Sequence, residues 1–454
     1  MTLLNRRHTL ASPGFNRWLV PPAALAVHLS IGQVYAFSVF KLPLTQIIGI
    51  THHDPADWTQ PSLAWIFSIA ILFLGLAAAF LGTWVENAGP RKAMLASACC
   101  FSTGFLLSSL GVHTHQLWLL YLGYGVIGGI GLGLGYVAPV STLIKWFVDR
   151  PGMATGLAIM GFGGGAMIGG PLAVRLMSHF SSATSNGVAP TMLVMAAIYF
   201  CSILFGAILI RVPADNYAPA NYIPKPATRM ITTSNIDAAT ALRTPQFYLL
   251  WLVLCLNVTA GIGILEQASP MIQEMFKSRV TPAAAAGFVG LLSLFNMLGR
   301  FFWSTLSDYI GRKTTYTLFF TIGLALYLLL PRTGSSSLNS LPLFVLTACL
   351  ILSMYGGSFA TMPAYVRDLF GSRSIGVTYA RLLTAWSAAG LLGPLLVNYL
   401  RTYQIQSRHL PPAQAYTAVL TIMASLLFLG LLANLLIRPV SQHHFTKEPA
   451  NALP

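Results

Sequence analysis

Two polar residues, Asn296 and Arg300, interrupt an apolar stretch that ends in a charged segment. The stretch covers residues 291–313 and reads LLSLFNMLGRFFWSTLSDYIGRK. Residues four apart on a helix share one face, so the amide and the guanidinium would be neighbours. A planar guanidinium binds a carboxylate through two parallel hydrogen bonds, which no other side chain does as well. The pair therefore predicts a site for a small carboxylate, and a structural ion pair is the alternative.

The composition of the chain indicates where this arginine lies. Of the 454 residues, 55% are hydrophobic and only 8% are charged, whereas ordinary soluble proteins carry about 25% charged residues. Apolar stretches of about 20 residues recur, and each is long enough to cross a bilayer as a helix. A charge at the centre of such a helix costs about 2.5–3.5 kcal/mol, so Arg300 must face a cavity or a partner. We therefore predict an all-α membrane protein.

The apolar stretches between helix-breaking residues predict twelve transmembrane helices. Their expected ranges are 18–40, 62–84, 93–112, 116–147, 152–176, 190–211, 245–272, 282–306, 314–331, 341–370, 374–400 and 412–437. A loop rich in Pro, Asn and Thr separates the sixth from the seventh. The predicted organisation is a tail (1–17), a six-helix bundle (18–211), a central loop (212–244), a second bundle (245–437) and a C-terminal tail (438–454).

The net charge of +15 comes from basic residues that lie in small groups at helix ends, which is not the pattern of a nucleic-acid surface. With the termini in the cytoplasm, seventeen of the 26 Lys and Arg residues fall on that side and seven on the other. This asymmetry predicts cytoplasmic termini and a cytoplasmic central loop. The five cysteines all lie in apolar stretches and have no metal-site spacing. We therefore expect no metal and no cofactor.

The two halves of the chain also repeat each other. GTWVENAGPRK (82–92) corresponds to STLSDYIGRKT (304–314), Pro139 to Pro363, and Pro171 to Pro394. Parallel repeats of six helices are one way in which secondary transporters are built, with the binding site between the halves near the membrane midplane. The repeat therefore predicts a site at the interface of the two bundles.

At these residues the chain resembles a known family. The loops 82–92 and 304–313 are similar to the motif G-x-x-x-D-R/K-x-G-R/K-R/K of the major facilitator superfamily, with Glu86 and Ser304 as departures. GFGGGAMIGGP (161–171) resembles the Gly-Pro motif of its fifth helix. GQVYAFSVFKLPL, MATGLAIMGFGGGA and YGGSFATMPAYVRDLFG resemble the oxalate:formate antiporters, to which bacterial relatives of the monocarboxylate transporters are close. The resemblance implies the major facilitator fold of two six-helix bundles.

The resemblance also implies roles for individual residues. Arg300 stands where the family binds its substrate anion, and Tyr35 and Tyr355 match aromatic positions of the family motifs. Trp386 stands where the family has a second cationic residue, a lysine. With one cation instead of two, oxalate becomes a poor candidate, and monocarboxylates such as lactate, pyruvate or formate are favoured. We expect the tyrosines and Trp386 to line the cavity.

Further residues are candidates for the site or for its gates. Tyr124 is a candidate cavity residue, whereas we expect interfacial or packing roles for Tyr136 and Tyr379 and a packed, hydrogen-bonded role for His28. Glu266 is the one acid well inside an apolar stretch, which suits a proton carrier, and the alternative is a hydrated helix end. The loops 82–92 and 304–313 contribute the expected gating residues Glu86, Arg91, Asp308 and Arg312. Arg381 is expected to join them by pairing with Glu86 or with a helix terminus.

These features predict a secondary transporter of small organic anions and not an enzyme. Coupling would be proton symport or anion exchange, and we expect a monomer in the lipid bilayer of the bacterial inner membrane. The alternatives are an oxalate or dicarboxylate antiporter, a transporter-like sensor and an exporter of cationic drugs. The last would need acids in the cavity, and the first apolar segment has none.

Overall fold

Twelve helices in the described part of the computed structural model are long and apolar enough to span a membrane. The structure describes residues 6–50, 54–214, 217–219, 222, 230–232, 234–276, 279–334 and 338–445. The helices are α1 (Arg17–Ala36), α2 (Gln60–Ala88), α3 (Pro90–His113), α4 (Leu117–Trp146), α5 (Pro151–Phe180), α6 (Val188–Leu209), α7 (Pro245–Met275), α8 (Pro282–Ile310), α9 (Arg312–Thr333), α10 (Leu341–Phe370), α11 (Ile375–Gln406) and α12 (Pro412–Leu436). The twelve expected helices are confirmed.

Three of these helices are irregular. The end of α1 is a 3-10 segment, Gly32–Ala36, followed by a short helix, Ser38–Leu44. A π-helical segment, Tyr121–Gly128, lies within α4, and α11 is interrupted at Leu383. Such irregular turns change the direction of nearby side chains and are frequent at functional sites. They lie beside Tyr35, Tyr124 and Trp386, so local backbone irregularity positions several of the candidate residues.

Contacts between the two halves include three helix pairs. α5 packs against α8 and α10, and α2 packs against α11. Small residues allow these backbones to approach closely. A Cβ added at Gly156 of α5 would lie 2.2 Å from Ser304 Oγ of α8, and one at Gly75 of α2 would lie 2.6 Å from the Leu383 carbonyl of α11. The site between the halves is therefore enclosed by closely packed helices.

The first and last described segments of the chain lie on one side of the molecule. Leu10 bridges Val212 after α6, and Lys313 Nζ donates to the Ile437 carbonyl after α12, 2.7 Å away. Arg17 ties the N-terminal segment to Asp149 in the α4–α5 loop through two hydrogen bonds of 2.6 and 3.0 Å. Burial by itself would raise the pKa of Asp149, but the hydrogen bonds from Arg17 bring that pKa below its ordinary value. We call this side the termini side and the opposite one the far side.

Candidate functional site

Arg300 lies in the middle of the interface between the halves and is 0% exposed. Its Nε donates to Asn296 Oδ1 at 3.1 Å, and its Nη1 lies 3.4 Å from the Ile159 carbonyl of α5. Within the described part of the chain, no carboxylate lies at ion-pair distance from Arg300. The structural ion pair that was the alternative is therefore not formed by the described residues, and the guanidinium is buried without a counter-charge.

Aromatic rings enclose this guanidinium. Its carbon lies 5.6 Å from the ring centre of Phe162 on α5 and 5.3 Å from that of Phe359 on α10, both within cation–π range. Trp386 of α11 is 0% exposed and packs on both phenylalanines, with ring centres 5.3 and 4.4 Å apart. Rings from both halves therefore form an apolar wall beside the Arg300 guanidinium.

Tyrosines complete this enclosure. The hydroxyls of Tyr35 on α1 and Tyr355 on α10 lie 3.1 Å apart, and this hydrogen bond connects the two halves. Tyr136 of α4 packs on Trp386 at 5.3 Å and on Tyr379 of α11 at 6.4 Å. The Arg300 charge acts on the hydroxyls of all four tyrosines. We name this set the Arg300 cage: Asn296, Arg300, Phe162, Phe359, Trp386, Tyr35, Tyr136, Tyr355 and Tyr379.

Several hydrogen-bond donors of the Arg300 cage are buried with no partner. They are Arg300 Nη2, Trp386 Nε1 and the hydroxyls of Tyr136 and Tyr379. A buried polar group without a partner costs about 1–3 kcal/mol, so native proteins rarely keep several together without a purpose. These groups are donors and surround a positive charge. The arrangement is suited to an anion that accepts hydrogen bonds, such as a carboxylate.

The Arg300 cage differs from the expected set in its members. The sequence predicts interfacial or packing roles for Tyr136 and Tyr379, and the structure places both rings in the cage, where the Arg300 charge acts on their hydroxyls. Helical spacing indicated part of this arrangement. Tyr379 lies seven residues before Trp386, and Phe359 lies four residues after Tyr355, so each shares a helix face with an expected cavity residue. The contact of Phe162 and Tyr136 with these residues depends on how the two halves pack, which no local pattern reports.

Tyr124 and Glu266 are not brought into this cage by the described contacts. The ring of Tyr124 packs on Phe37 at 4.7 Å and on Phe105 at 5.2 Å, inside the N-terminal half. This is a correction to the expectation that Tyr124 lines the cavity with Arg300. Glu266 belongs to α7, but its side chain lies outside the described part of the structure.

Asp308 and Arg312 connect the two halves at the termini side. The carboxylate of Asp308 accepts hydrogen bonds from the backbone N–H groups of Gly152 and Met153, both at 2.9 Å. These donors lie in the first turn of α5, where a negative charge is stabilised by the helix dipole. Arg312 donates to Asp308 at 2.5 Å and to Asp368 of α10 at 3.1 Å. This network holds α5 of one half against α8 and α10 of the other.

The matching residues of the first repeat are arranged differently. The carboxylate of Glu86 lies 4.0 Å from Lys145 Nζ of α4, at ion-pair distance. It also faces α11, because a Cβ added at Gly376 would lie 3.9 Å from the Glu86 carboxylate. Arg91 donates to the carbonyls of residues 207, 208 and 210 at the end of α6. Arg381 donates to the Ala238 carbonyl of the central loop at 3.0 Å. The expected ion pair between Arg381 and Glu86 is therefore corrected. The alternative expectation, that Arg381 contacts a helix terminus, is consistent with its bond to Ala238, the first residue of the short helix Ala238–Ala241.

In the described part of the structure, the space on the far side of the Arg300 cage is open. A cavity of ≈ 790 Å³ opens to the far side between the short helix Ser38–Leu44, α2, α7 and α11, and an inner pocket of ≈ 150 Å³ beside it includes Tyr35 in its wall. On the termini side, Thr155 Oγ1 donates to the Ala360 carbonyl at 2.5 Å and Arg367 to the Val148 carbonyl at 3.1 Å. The halves are therefore closed at the termini side, and Tyr35 borders both the pocket and the cage.

A family model described as the Major Facilitator Superfamily matches residues 23–394. The chain belongs to this superfamily. The structure of the transporter FucP in its outward conformation superposes with a TM-score of 0.65 over 92% of this chain and 99% of that one, at 15% identity, which shows the shared fold. With its twelve apolar helices the protein is therefore a multi-pass membrane transporter, and transporters of this superfamily are not enzymes.

Curated relatives cover most of the chain at low identity. The uncharacterized MFS-type transporter YhjX of Escherichia coli (strain K12) is 26% identical over 80% of this chain and 83% of its own length. The oxalate:formate antiporter of Oxalobacter formigenes is 24% identical over 87% of this chain and 89% of its own. The apicoplast pyruvate carrier 1 of Toxoplasma gondii is 24% identical over 72% of this chain and 68% of its own.

Proposed function

We propose that the protein is a secondary transporter of small organic anions, with monocarboxylates such as lactate, pyruvate or formate as the favoured substrates. The observation that carries this proposal is the fully buried Arg300, which has no acidic partner among the described residues and keeps a free Nη2. A charged group in a membrane protein interior is retained where a ligand or a partner meets it. A bound carboxylate supplies the missing negative charge.

The names of two relatives support the substrate class. One is an antiporter of oxalate and formate and another is a pyruvate carrier, so small carboxylates are common to both. Low identity leaves the particular carboxylate to be decided by the residues of this chain. The single cation of the described cage is the feature that separates the candidates.

A monoanion matches this site better than a dianion. Its carboxylate would meet Arg300, and the rings of Phe162, Phe359 and Trp386 would cover its apolar end. A second carboxylate would lie against Trp386, where the resembled family has a lysine. An unpaired charge in a partly dry cavity costs several kcal/mol, so oxalate is disfavoured.

The arrangement of the halves supports alternating access. The far side is open and the termini side is held by Asp308 and Arg312, so an anion would enter from the far side in this state. Transport requires the contacts between α5 and α8 to separate as the far side closes. We place the termini in the cytoplasm and the protein in the bacterial inner membrane, with proton symport or anion exchange as the coupling.

The test is uptake of labelled lactate, pyruvate, formate and oxalate into proteoliposomes, with and without an inward pH gradient and with and without internal carboxylate. We expect saturable uptake of at least one monocarboxylate that exceeds oxalate uptake, driven by the pH gradient in symport or by internal carboxylate in exchange. The cation tetraphenylphosphonium serves as the probe for the drug-exporter alternative. Transport of that cation without any carboxylate uptake would contradict the proposal.

A further inference from the structure

His28 of α1 is a buried titratable group that the proposed anion site does not use. Its side chain is 0% exposed, and its Nδ1 lies 3.1 Å from the Ala24 carbonyl one turn earlier. Because a carbonyl only accepts, Nδ1 carries the proton in the neutral ring. Nε2 is then a free acceptor, and it is buried without a hydrogen-bond partner. The imidazole therefore has one vacant position for a proton.

His28 contacts the Arg300 cage through Tyr136. The His28 ring packs edge-on against Tyr136 at 5.4 Å, and the backbone carbonyl of Tyr136 faces the imidazole. That carbonyl and the Ala24 carbonyl both favour the charged form of the ring.

Arg300 is the charged group that acts on this ring from the other half. From α4 the titratable neighbour is Tyr136, and α5 presents Gly161, where an added Cβ would lie 3.0 Å from His28 Cβ. The described titratable groups of α6 are Tyr199, which lies beside Gln33 near Gly169, and Cys201, which is exposed. Tyr35 is the titratable residue one heptad later on α1 itself. Burial is the largest effect that disfavours a charged His28 ring, and the Arg300 charge adds to it from the other half.

We infer that His28 is the proton-coupling residue, which takes up a proton on Nε2 when an anion binds Arg300. The inference rests on the proposed function, because it needs an anion at Arg300. In the empty site, a protonated ring would add a second positive charge beside an unpaired guanidinium. A bound carboxylate removes that penalty, so proton and anion favour each other's binding by the same factor. One anion and one proton then enter together, and the net charge of the site is unchanged.

The experiment is calorimetry of pyruvate binding to the purified full-length transporter at one pH, in two buffers of different ionisation enthalpy. The difference in heat gives the number of protons taken up on binding. For the wild type, we expect uptake of about one proton per pyruvate bound. This holds in the pH range where the apparent affinity rises about tenfold for each unit by which the pH falls. His28→Phe, which keeps a ring against Tyr136, and His28→Gln should bind pyruvate with no proton uptake and a flat pH dependence.

His115→Gln is the matched control, because this histidine stacks on Trp58 at 4.8 Å, remote from the Arg300 cage, and its variant should keep the proton uptake. Unchanged proton uptake in both His28 variants would overturn the inference. Pyruvate binding without proton uptake in the wild type would also overturn the inference. That result would still agree with anion exchange as the proposed function. Proton uptake lost in Glu266→Gln and kept in His28→Phe would transfer the coupling to Glu266. Failure of the wild type to bind any carboxylate would instead contradict the proposed function itself.

Discussion

Asp308 connects the two halves at the termini side, and if it acts as a gate, its neutralisation should shift the protein away from the state open to the far side. The change is Asp308→Asn, which keeps the size of the side chain and removes its charge. The carboxylate accepts two backbone N–H groups of α5 at 2.9 Å each and pairs with Arg312, with both side chains nearly buried, at 5% and 6% exposure. The amide can accept from one of the two N–H groups at most.

The magnitude follows from these contacts. A cap at a helix start is worth about 0.5–2 kcal/mol, and a charge at that end adds about 0.3–1 kcal/mol. We therefore expect a loss of about 2 kcal/mol of preference for the far-side-open state. That loss corresponds to about 30-fold in the ratio of the two states.

Spin labels at positions 60 and 399 report this shift, because both residues line the far-side cavity from opposite halves. The distance distribution in liposomes should move to shorter values in Asp308→Asn. Asp237→Asn is the control, because Asp237 caps a short helix of the central loop through Ala239 N at 2.9 Å and does not bridge α5 and α8. A distribution in Asp308→Asn that equals the wild type would refute the reasoning.

Two further substitutions test the Arg300 cage. Trp386→Lys adds the cation that the resembled family has. In a competition assay in proteoliposomes, the preference should therefore shift at least tenfold toward oxalate and away from lactate. A wild type that already prefers oxalate would show that another cation completes the site. Asn296→Asp places a carboxylate where an amide oxygen now accepts from Arg300 Nε at 3.1 Å, so it should pair with the guanidinium. Pyruvate affinity should then fall about 100-fold with an unchanged or higher Tm, and undiminished affinity in a calorimetric titration would contradict that pairing.

The helices were predictable because twelve apolar stretches of spanning length leave little choice in a bilayer. Arg300 was predictable for a related reason, since a buried charge in such a helix is costly without a function. The irregular segment Gly32–Ala36 was not, because it depends on α5, where a Cβ added at Gly32 would lie 2.4 Å from the Phe162 carbonyl. A contact between distant helices leaves no periodic signal in either one.

The same limit explains the residues of the site that the sequence misplaced. Tyr124 and Tyr136 lie twelve residues apart on α4 with similar neighbours in sequence, yet one packs inside its own half and the other against Trp386. Which of them faces Arg300 is decided by the rotation of α4 in the bundle. The motif predicts that Asp308 is a gating residue, but its partners on α5 follow only from the packing of the halves.

The most direct test of the central claim is pyruvate binding to Arg300→Ala and Arg300→Lys by calorimetry, beside the wild type and with folding checked by size exclusion. Loss of a buried, hydrogen-bonded charge partner costs about 2–5 kcal/mol, so Arg300→Ala should lose at least 30-fold in affinity. Arg300→Lys should recover part of the loss, because it restores the charge without the planar fork. Near wild-type affinity in a folded Arg300→Ala variant would contradict the account, because the anion would then bind elsewhere.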